Sequence, residues 1–243
     1  MAVTSFFRGH GGFAEEAVAL DVATHPAPEE MEAAEAACFA IPYHTAWIGL
    51  VTRGQLAAGE DLVVLGAAGG TGTAAIQLGR ALGARVIAVA GGEEKAKRCL
   101  ELGADVAIDH RREDITTAIR EATGGKGADV VYDPVGGDAC KGAVDAIASE
   151  GRVLIIGYAS GGYYDAPTAQ LIGRNASMVG VYVGAYTKPY MSEVHDEVIA
   201  RWREGKIRGV VGEVLPFDRV PDALEALATR EAVGKLVIRT SGS

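Results

Sequence analysis

A glycine-rich stretch, residues 66–72 with the sequence GAAGGTG, follows a short apolar run and precedes a segment with apolar side chains at helical spacing. A strand, a glycine turn and a helix in this order leave the first amides of the helix unpaired, next to the positive end of its dipole. That arrangement binds a diphosphate, and glycine lets the backbone approach the phosphate oxygens closely. We therefore predict a dinucleotide site at this turn, with contacts from Ala68, Gly69, Gly70, Thr71 and Gly72.

The end of the next apolar run, residues 85–90, indicates which dinucleotide is bound. A site for NAD places Asp or Glu there, about 20 residues past the glycines, to bind the ribose hydroxyls. Gly91 and Gly92 stand at this point instead, which leaves room for the 2′-phosphate of NADPH. Lys95 follows as a point charge for that phosphate. The pattern therefore favours NADPH over NADH.

Two alternatives stay open at this site. Glu93 and Glu94 are close enough in sequence to reach the same ribose hydroxyls, which would favour NADH. S-adenosylmethionine also binds to glycine-rich turns between a strand and a helix. His110 and Arg111 follow the third apolar run and project toward the same edge of the sheet, which supports the interpretation with a 2′-phosphate.

Alternating strands and helices position these residues. Short apolar runs, which suit buried parallel strands, alternate with helical patterns along the middle of the chain. They predict an α/β fold with a doubly wound parallel six-stranded Rossmann sheet, in the order 3-2-1-4-5-6 with right-handed crossovers. The predicted strands are residues 61–66, 85–90, 105–108, 129–132, 152–157 and 176–182. The helices include residues 71–82, residues 93–102, one capped by Asp114, and one that carries Cys140 and Ile147 and ends near Gly151.

The two ends of the chain show other patterns. Residues 13–20 predict a strand, and residues 28–37 and 45–52 predict two helices. Towards the C-terminus, the predicted order is a helix at residues 191–202, a strand at 209–215, a helix at 218–229 and a last strand at 235–240.

Composition and charge exclude several classes of function. Hydrophobic residues make up 49% of the 243 residues, which is enough for a sizeable core. The net charge of −9 makes nucleic acid a poor partner, because a negative surface repels phosphate backbones. No apolar stretch is long enough to span a membrane, and residues 1–13 do not resemble a signal peptide. We expect a cytoplasmic protein with no membrane partner.

The three cysteines, Cys38, Cys99 and Cys140, are far apart and have no histidine at ligand spacing. We therefore expect neither a disulfide framework nor a metal site, and interpret them as small buried hydrophobic residues in a reducing compartment.

An ordered set of motifs resembles the zinc-independent quinone oxidoreductases, relatives of zeta-crystallin in the medium-chain dehydrogenase/reductase superfamily. The resemblance extends over nearly the whole chain. Its motifs are GEDLVVLGAAGGTG at residues 59–72, GGFAE at 11–15, TAW at 45–47, YDPVGG at 132–137, GRV at 151–153, GYASG at 157–161, VGVYVGAY at 179–186 and GKLV at 234–237.

The resemblance implies roles for residues at matching positions. Lys95, His110 and Arg230 fall where the family places groups around the 2′-phosphate. The residues that fall near the expected nicotinamide pocket are Thr45, Tyr158, Ser160, Val181 and Val183. For Tyr158 and Ser160, a structural role in a loop is an equally good interpretation. The predicted cofactor contacts are completed by Gly91, Val135 and Gly157.

The resemblance also divides the chain. Residues 22–205 correspond to the Rossmann dinucleotide-binding domain, and residues 1–21 and 206–243 to a small remnant of the family's GroES-like catalytic domain. The rest of that domain normally covers the nicotinamide and shapes the substrate pocket. Two explanations for the small size of this remnant stay open. Either the chain is a fragment or misplaced start of a normal reductase, or it is a shortened protein that binds the cofactor and catalyses poorly. We assign no catalytic residue.

The expected reaction is hydride transfer from NADPH to a quinone or a conjugated carbonyl (an enone), without a metal. The zinc-dependent branch of the superfamily needs Cys and His ligands. In this chain the position four residues before Thr45 is Ile41, which is not a zinc ligand. We interpret His44, the neighbour of Thr45, as a packed or capping residue. Two other functions stay open, an enoyl-thioester reductase and a non-catalytic NADPH-binding module. The resemblance also implies a homodimer that pairs through the sixth strand, residues 176–182.

Overall fold

The structure, a computed structural model, describes residues 1–4 and 11–240. The strands in these residues are β1 (Ala2–Thr4), β2 (Ala19–Thr24), β3 (Asp61–Leu65), β4 (Arg85–Ala90), β5 (Val106–Asp109), β6 (Ala128–Asp133), β7 (Ile147–Ile155), β8 (Ser177–Gly180), β9 (Val211–Pro216) and β10 (Lys235–Arg239). The α-helices are α1 (Ala33–Trp47), α2 (Gly70–Ala81), α3 (Glu93–Glu101), α4 (Ile115–Ala122), α5 (Gly137–Asp145), α6 (Thr168–Ile172), α7 (Lys188–Arg203) and α8 (Val220–Ala228).

Six strands form one sheet in the order β5-β4-β3-β6-β7-β8. Every pair in it is parallel. Counted from β3, this is the order 3-2-1-4-5-6, so the predicted α/β fold with a doubly wound six-stranded Rossmann sheet is confirmed. β4 and β5 lie on one side of β3, whereas β7 and β8 lie on the far side of its other neighbour, β6. The direction in which successive strands are added therefore reverses between β3 and β6. Doubly wound sheets bind ligands at the carboxyl ends of the strands beside such a switch point.

The sheet is buried on both faces, as the continuous apolar runs predict. All five residues of β3 are buried. Leu62 and Val64 belong to the core that α1, α2 and α7 cover, whereas Val63 and Leu65 belong to the core that α4 and α5 cover. Alternate residues of a strand point to opposite faces, so one short run supplies both cores.

The elements before β3 differ from the sequence predictions. The strand predicted over residues 13–20 is wrong, because the strand is β2, whose position depends on antiparallel pairing with β1. The helices predicted over residues 28–37 and 45–52 are one helix, α1, which continues into a π-helix, Ile48–Arg53. Pro42 lies inside α1, where proline normally disfavours a helix. The helix is stabilised because Phe39, Tyr43 and Trp47 pack into the core.

The helix predicted to carry Ile147 and to end near Gly151 is shorter than expected. α5 ends at Asp145, and Ile147 begins β7. Ile147 pairs with Ala128 of β6, and this pairing decides between helix and strand for a residue that suits either pattern.

The last elements form a separate unit that we call the C-terminal unit, residues 211–239. β9 and β10 pair in parallel, and α8 lies between them in the chain. The predicted strand, helix and strand are therefore confirmed, with ends that differ by a few residues. The unit contacts the glycine-rich turn through an isolated parallel bridge between Gly69 and Gly234.

Three buried histidines join the N-terminal segment to two helices. His25 follows β2, His44 lies in α1 and His195 lies in α7. The rings of His25 and His195 stack with centroids 4.7 Å apart. His195 Nε2 lies 2.8 Å from the carbonyl oxygen of Pro26, which can only accept, so this nitrogen donates. His195 Nδ1 therefore accepts the bond of 3.1 Å that His44 Nε2 donates.

Candidate cofactor site

The glycine-rich turn joins β3 to α2 at the switch point of the sheet. Gly66 has a φ of +56°, a conformation that favours glycine. The amide of Gly69 donates to the carbonyl oxygen of Gly66 at 3.0 Å and closes the turn. Gly69 is the N-cap of α2, and no described side chain caps this helix. The first amides of α2 therefore have no partner from the helix or from a capping side chain, as a diphosphate site requires.

Gly72, the fourth glycine of the turn, has no room for a side chain. A Cβ at Gly72 would lie 2.5 Å from the carbonyl oxygen of Gly66 and 2.7 Å from Cα of Ala67. The first turn of α2 thus packs directly on the backbone of the glycine-rich turn, which holds the free amides of Gly70 and Thr71 in place.

The start of β10 contacts the same turn. The amide of Gly234 donates to the carbonyl oxygen of Ala68 at 2.8 Å. The side chain of Lys235 crosses Gly70, since its Cγ, Cδ and Cε would lie 2.9, 2.8 and 2.7 Å from a Cβ at Gly70. A side chain at Gly70 would therefore displace the side chain of Lys235, a contact that the sequence did not reveal.

One carboxylate ties the glycine pair after β4 to the end of β5. Asp109 Oδ1 accepts from the amide of Gly92 at 2.7 Å and from the amide of Arg111 at 3.0 Å. These two bonds lower the pKa of Asp109, so it stays ionised. The amide of His110 donates to the carbonyl oxygen of Ala90 at 3.0 Å. Together these bonds hold the two loops side by side at the carboxyl edge of the sheet.

Basic side chains surround the glycine pair. A Cβ at Gly91 would lie 2.8 Å from His110 Nε2 and 3.4 Å from Arg111 Nε. A Cβ at Gly92 would lie 3.4 Å from Arg111 Nη1. Burial lowers the pKa of Lys95, and the charge of Arg111 lowers it further. Because like charges disfavour each other, an anion bound between Lys95 and Arg111 would be stabilising.

Lys95 also joins the C-terminal unit to α3. Its Nζ donates to the main-chain carbonyl oxygen of Arg230, a residue with a φ of +59°. The structure thus brings Gly91, Lys95, His110 and Arg230 to one edge.

Glu93, one of the two carboxylates that would favour NADH, forms an ion pair with Arg112 at 3.0 Å. Both side chains are exposed, so the pair is weak. Binding of a ribose hydroxyl by Glu93 would compete with this pair.

The loops after β6 and β7 form the next part of the edge. Asp133 Oδ1 accepts from the amides of Val135 and Gly136, both at 2.8 Å. The amide of Ser160 donates to the carbonyl oxygen of Val135 at 2.9 Å, and the amide of Gly157 to that of Asp133 at 3.2 Å. Val135 Cγ2 would lie 2.9 Å from a Cβ at Gly66. The predicted contacts Val135, Gly157 and Ser160 therefore lie together, beside the glycine-rich turn.

The remaining predicted residues lie further along this edge. The amide of Val181 donates to the carbonyl oxygen of Ile155 at 3.0 Å, and both Val181 and Val183 pack on the core. Tyr158 is exposed and contacts Tyr163, with ring centroids 4.8 Å apart. Thr45 is half-buried in the last turn of α1.

An open cleft lies next to Val181. It is lined by aromatic side chains and one cation, and Arg53 Nε donates to the carbonyl oxygen of Gly180 at 3.1 Å on its wall. The side chains around it include Arg53, Ile155, Tyr163, Tyr182 and Tyr186.

Four residues outside the predicted contacts organise the site: Asp109, Arg111, Asp133 and Lys235. Asp109 and Asp133 are the last residues of β5 and β6. A carboxylate at the end of a predicted parallel strand is the feature of the sequence that could have identified both residues. Arg111 is visible in the sequence as a neighbour of His110. Lys235 belongs to the GKLV motif at residues 234–237, but nothing near it in the sequence indicates its contact with Gly70, because that contact forms only in the tertiary fold.

No group of three or more His, Cys, Asp or Glu side chains in residues 1–4 and 11–240 is placed to hold a metal ion. The three cysteines are free and buried, as predicted. Burial raises the pKa of Cys38 to about 11 and that of Cys99 to about 12. His44 is packed against His195, as its interpretation from the sequence required. In the same part of the chain, no helix combines the length and the hydropathy needed to cross a bilayer.

Comparison with known proteins agrees with this geometry. A sequence profile described as zinc-binding dehydrogenase matches residues 70–200. The chain is 36% identical to the quinone oxidoreductase-like protein 2 homolog of Nematostella vectensis, over 95% of this chain and 64% of that protein. It is 33% identical to quinone oxidoreductase-like protein 2 of Bos taurus, over 95% of this chain and 67% of that protein.

Among solved structures, the Escherichia coli quinone oxidoreductase complexed with NADPH superposes with a TM-score of 0.83 at 26% identity. The match covers 90% of this chain and 69% of that one. The chain thus spans about two thirds of the length of these relatives. The profile begins at Gly70, inside the glycine-rich turn, and extends over β4 to β8, whereas each of the two relatives matches 95% of the chain. The chain therefore belongs to the zinc-binding dehydrogenase family, among the quinone oxidoreductases of the medium-chain dehydrogenase/reductase superfamily.

Proposed function

We propose that this protein binds NADPH and transfers hydride from it to a small-molecule quinone or conjugated carbonyl, without zinc. The observation that carries the proposal is a pair of anion sites on one edge of the sheet. The uncapped N-terminus of α2 suits a diphosphate. The basic side chains around Gly91 and Gly92 suit a 2′-phosphate. NADPH carries phosphate at both places, whereas NADH carries it only at the first.

The residues at the end of β4 fit NADPH better than NADH. The position that carries Asp or Glu in NAD sites is occupied by glycine, with Arg111 above it. Asp109 is the buried carboxylate next to this point, and its Oδ1 is already engaged by two amides. The relatives support the same choice, since the Escherichia coli quinone oxidoreductase was solved in complex with NADPH.

When bound, the nicotinamide supplies the hydride, and the protein supplies binding and orientation. In this proposal Val181 and Val183 pack against the nicotinamide ring, and the bonded loops that carry Val135, Gly157 and Ser160 hold its amide and ribose. Thr45 and Tyr158 complete the pocket. The cleft beside Val181 presents tyrosine faces and Arg53, which suit a planar, electron-poor acceptor.

We further assign residues 22–205 to the dinucleotide-binding domain, and residues 1–21 and 206–243 to a part of a GroES-like domain. A homodimer is proposed through β8, which lies at the edge of the sheet and exposes Ser177 and Gly180. Three free cysteines suit a reducing compartment, so we place the protein in the cytoplasm. Light scattering that shows only monomer would remove the dimer from the proposal.

A fluorescence titration with NADPH and NADH, followed by assays with a quinone and with an enoyl-thioester, tests the function. We expect NADPH to bind at least about tenfold more tightly, equivalent to about 1.4 kcal/mol, and to reduce the quinone. Equal affinities would contradict the 2′-phosphate site, and no binding of either would contradict the whole proposal. Turnover of the enoyl-thioester alone would reassign the acceptor. Tight binding without turnover would indicate a cofactor-binding module.

A further inference from the structure

We propose that Lys235 is an additional diphosphate-binding residue, brought to the glycine-rich turn by the C-terminal strand β10. The inference rests on the proposed binding of a dinucleotide at this turn. It adds a charged group from the far end of the chain to a site that otherwise consists of main-chain amides.

The position of the Lys235 side chain is the first argument. Its last three carbons run across Gly70, at 2.7 to 2.9 Å from where a Cβ would be. Gly70 is the first residue of α2, whose amides face the diphosphate in this site. The ammonium lies one bond beyond Cε, so it is confined to the neighbourhood of the helix N-terminus.

Electrostatics is the second argument. The N-terminus of a helix carries about half a positive charge, and a cation beside it is disfavoured. The described residues give Lys235 no ion pair that would compensate. An anion bound at the turn would interact favourably with both the helix N-terminus and the Lys235 ammonium. The two positive charges repel each other in the absence of a ligand, but together they suit a diphosphate.

The third argument is that Lys235 is held by its backbone. Its amide donates to the carbonyl oxygen of Val210 at 2.9 Å, and the preceding amide, of Gly234, donates to Ala68 at 2.8 Å. Gly234 has a φ of +67°, and a Cβ there would lie 2.6 Å from the Val210 oxygen. The side chain therefore starts from a fixed point beside the turn, which reduces the entropy lost on binding.

The test separates the two phosphate sites with fragments of the cofactor. ADP-ribose carries the diphosphate without a 2′-phosphate, and 2′-AMP carries the 2′-phosphate without the diphosphate. Lys235→Met keeps the carbon chain over Gly70 and removes the charge. We expect it to weaken NADPH, NADH and ADP-ribose by about tenfold, as loss of a charge-assisted hydrogen bond predicts, and to leave 2′-AMP unchanged.

Two further variants make the result specific. Lys235→Arg keeps a cation and should retain at least half of the affinity for ADP-ribose. Lys97→Met removes an exposed lysine of α3 and should change no affinity. Thermal melts show whether Lys235→Met is folded. If it is not, the affinity of Lys235→Arg for ADP-ribose is the measurement that decides the outcome. Unchanged binding of ADP-ribose by Lys235→Met would overturn the role of Lys235 alone, as would equal weakening of 2′-AMP. Failure of the unmodified protein to bind any of these ligands would overturn the proposed function as well.

Discussion

The amide of Gly234 donates to the carbonyl oxygen of Ala68 at 2.8 Å, so the last strand of the chain is bonded directly to the glycine-rich turn. Lys95 makes a second link, to the carbonyl oxygen of Arg230. The C-terminal unit is therefore bonded to the glycine-rich turn and to α3, at both of the proposed anion sites. A ligand that bridges these sites should stabilise the attachment, because binding to the folded state alone raises its stability.

Replacing Gly234 with alanine tests this attachment. A Cβ would lie 2.6 Å from the Val210 oxygen, so β10 must shift away from the turn. We expect a loss of about 1–3 kcal/mol in the free energy of unfolding and weaker binding of both NADPH and NADH. The matched control is Gly124→Ala, at a similar φ of +60° but with nothing within 4 Å. Equal effects of the two variants on cofactor affinity would contradict a role for the Gly234–Ala68 bond.

Replacing Lys95 with alanine tests the 2′-phosphate site. The ammonium lies near Arg111, at the glycine pair, so its removal should weaken NADPH by about tenfold and NADH by less than about twofold. Fluorescence titration with each cofactor measures both constants, and Lys97→Ala on the same helix is the control. An equal loss for the two cofactors would show that Lys95 acts only through its bond to Arg230.

Replacing Gly91 with aspartate also tests the preference for NADPH over NADH, by adding a negative charge instead of removing a positive one. The new carboxylate would stand where NAD sites bind the ribose hydroxyls, and it would repel a 2′-phosphate. Its Cβ would lie 2.8 Å from the ring of His110, an exposed side chain that can move. We expect the ratio of NADPH to NADH affinity to fall by at least about tenfold. Gly91→Ala adds the same Cβ without charge, and an equal change of the ratio in this variant would refute the electrostatic explanation.

The stability of the protein should fall below neutral pH because of the three buried histidines. Burial, followed by the charges of His195 and Lys188, lowers the pKa of His25 to about 4. Burial, followed by His25 and His195, lowers the pKa of His44 to about 3. In the unfolded chain both titrate near the usual value of about 6.5. Between that pH and about 4 the unfolded state binds more protons, so the free energy of unfolding falls as the pH falls.

Urea denaturation between pH 4.5 and pH 7.5 measures this effect, which reaches up to about 1.4 kcal/mol per pH unit for each histidine. His44→Gln keeps a donor towards His195 Nδ1 but does not titrate, so its stability should depend less steeply on pH. His110→Gln, at an exposed position outside the cluster, is the control. The explanation is wrong if the His44 variant keeps the slope of the unmodified protein.

The strands of the sheet were predictable because each is a short apolar run with a glycine turn or a helix after it. β3 is buried along its whole length, and its neighbours follow the same pattern. The prediction failed where a residue suits two structures. Ile147 fits the apolar face of a helix, but pairing with Ala128 places it in β7. Pro42 interrupts the helical pattern of α1, although packing of Phe39 and Tyr43 keeps the helix intact.

The amino-acid sequence alone determined the glycine-rich turn and the strands of the sheet, because these depend on local conformation and on hydrophobic periodicity, and it shows glycine instead of a carboxylate directly after β4. The strand order was predictable from the general topology of doubly wound folds. The sequence also indicated that Arg111 lies at the same edge as Gly91 and Gly92, but only the tertiary structure placed Lys235 over Gly70. Contacts of this kind join residues that are distant in the chain or that leave different strands. They depend on how the helices and the C-terminal unit pack on the sheet, and no pattern of neighbouring residues encodes that packing.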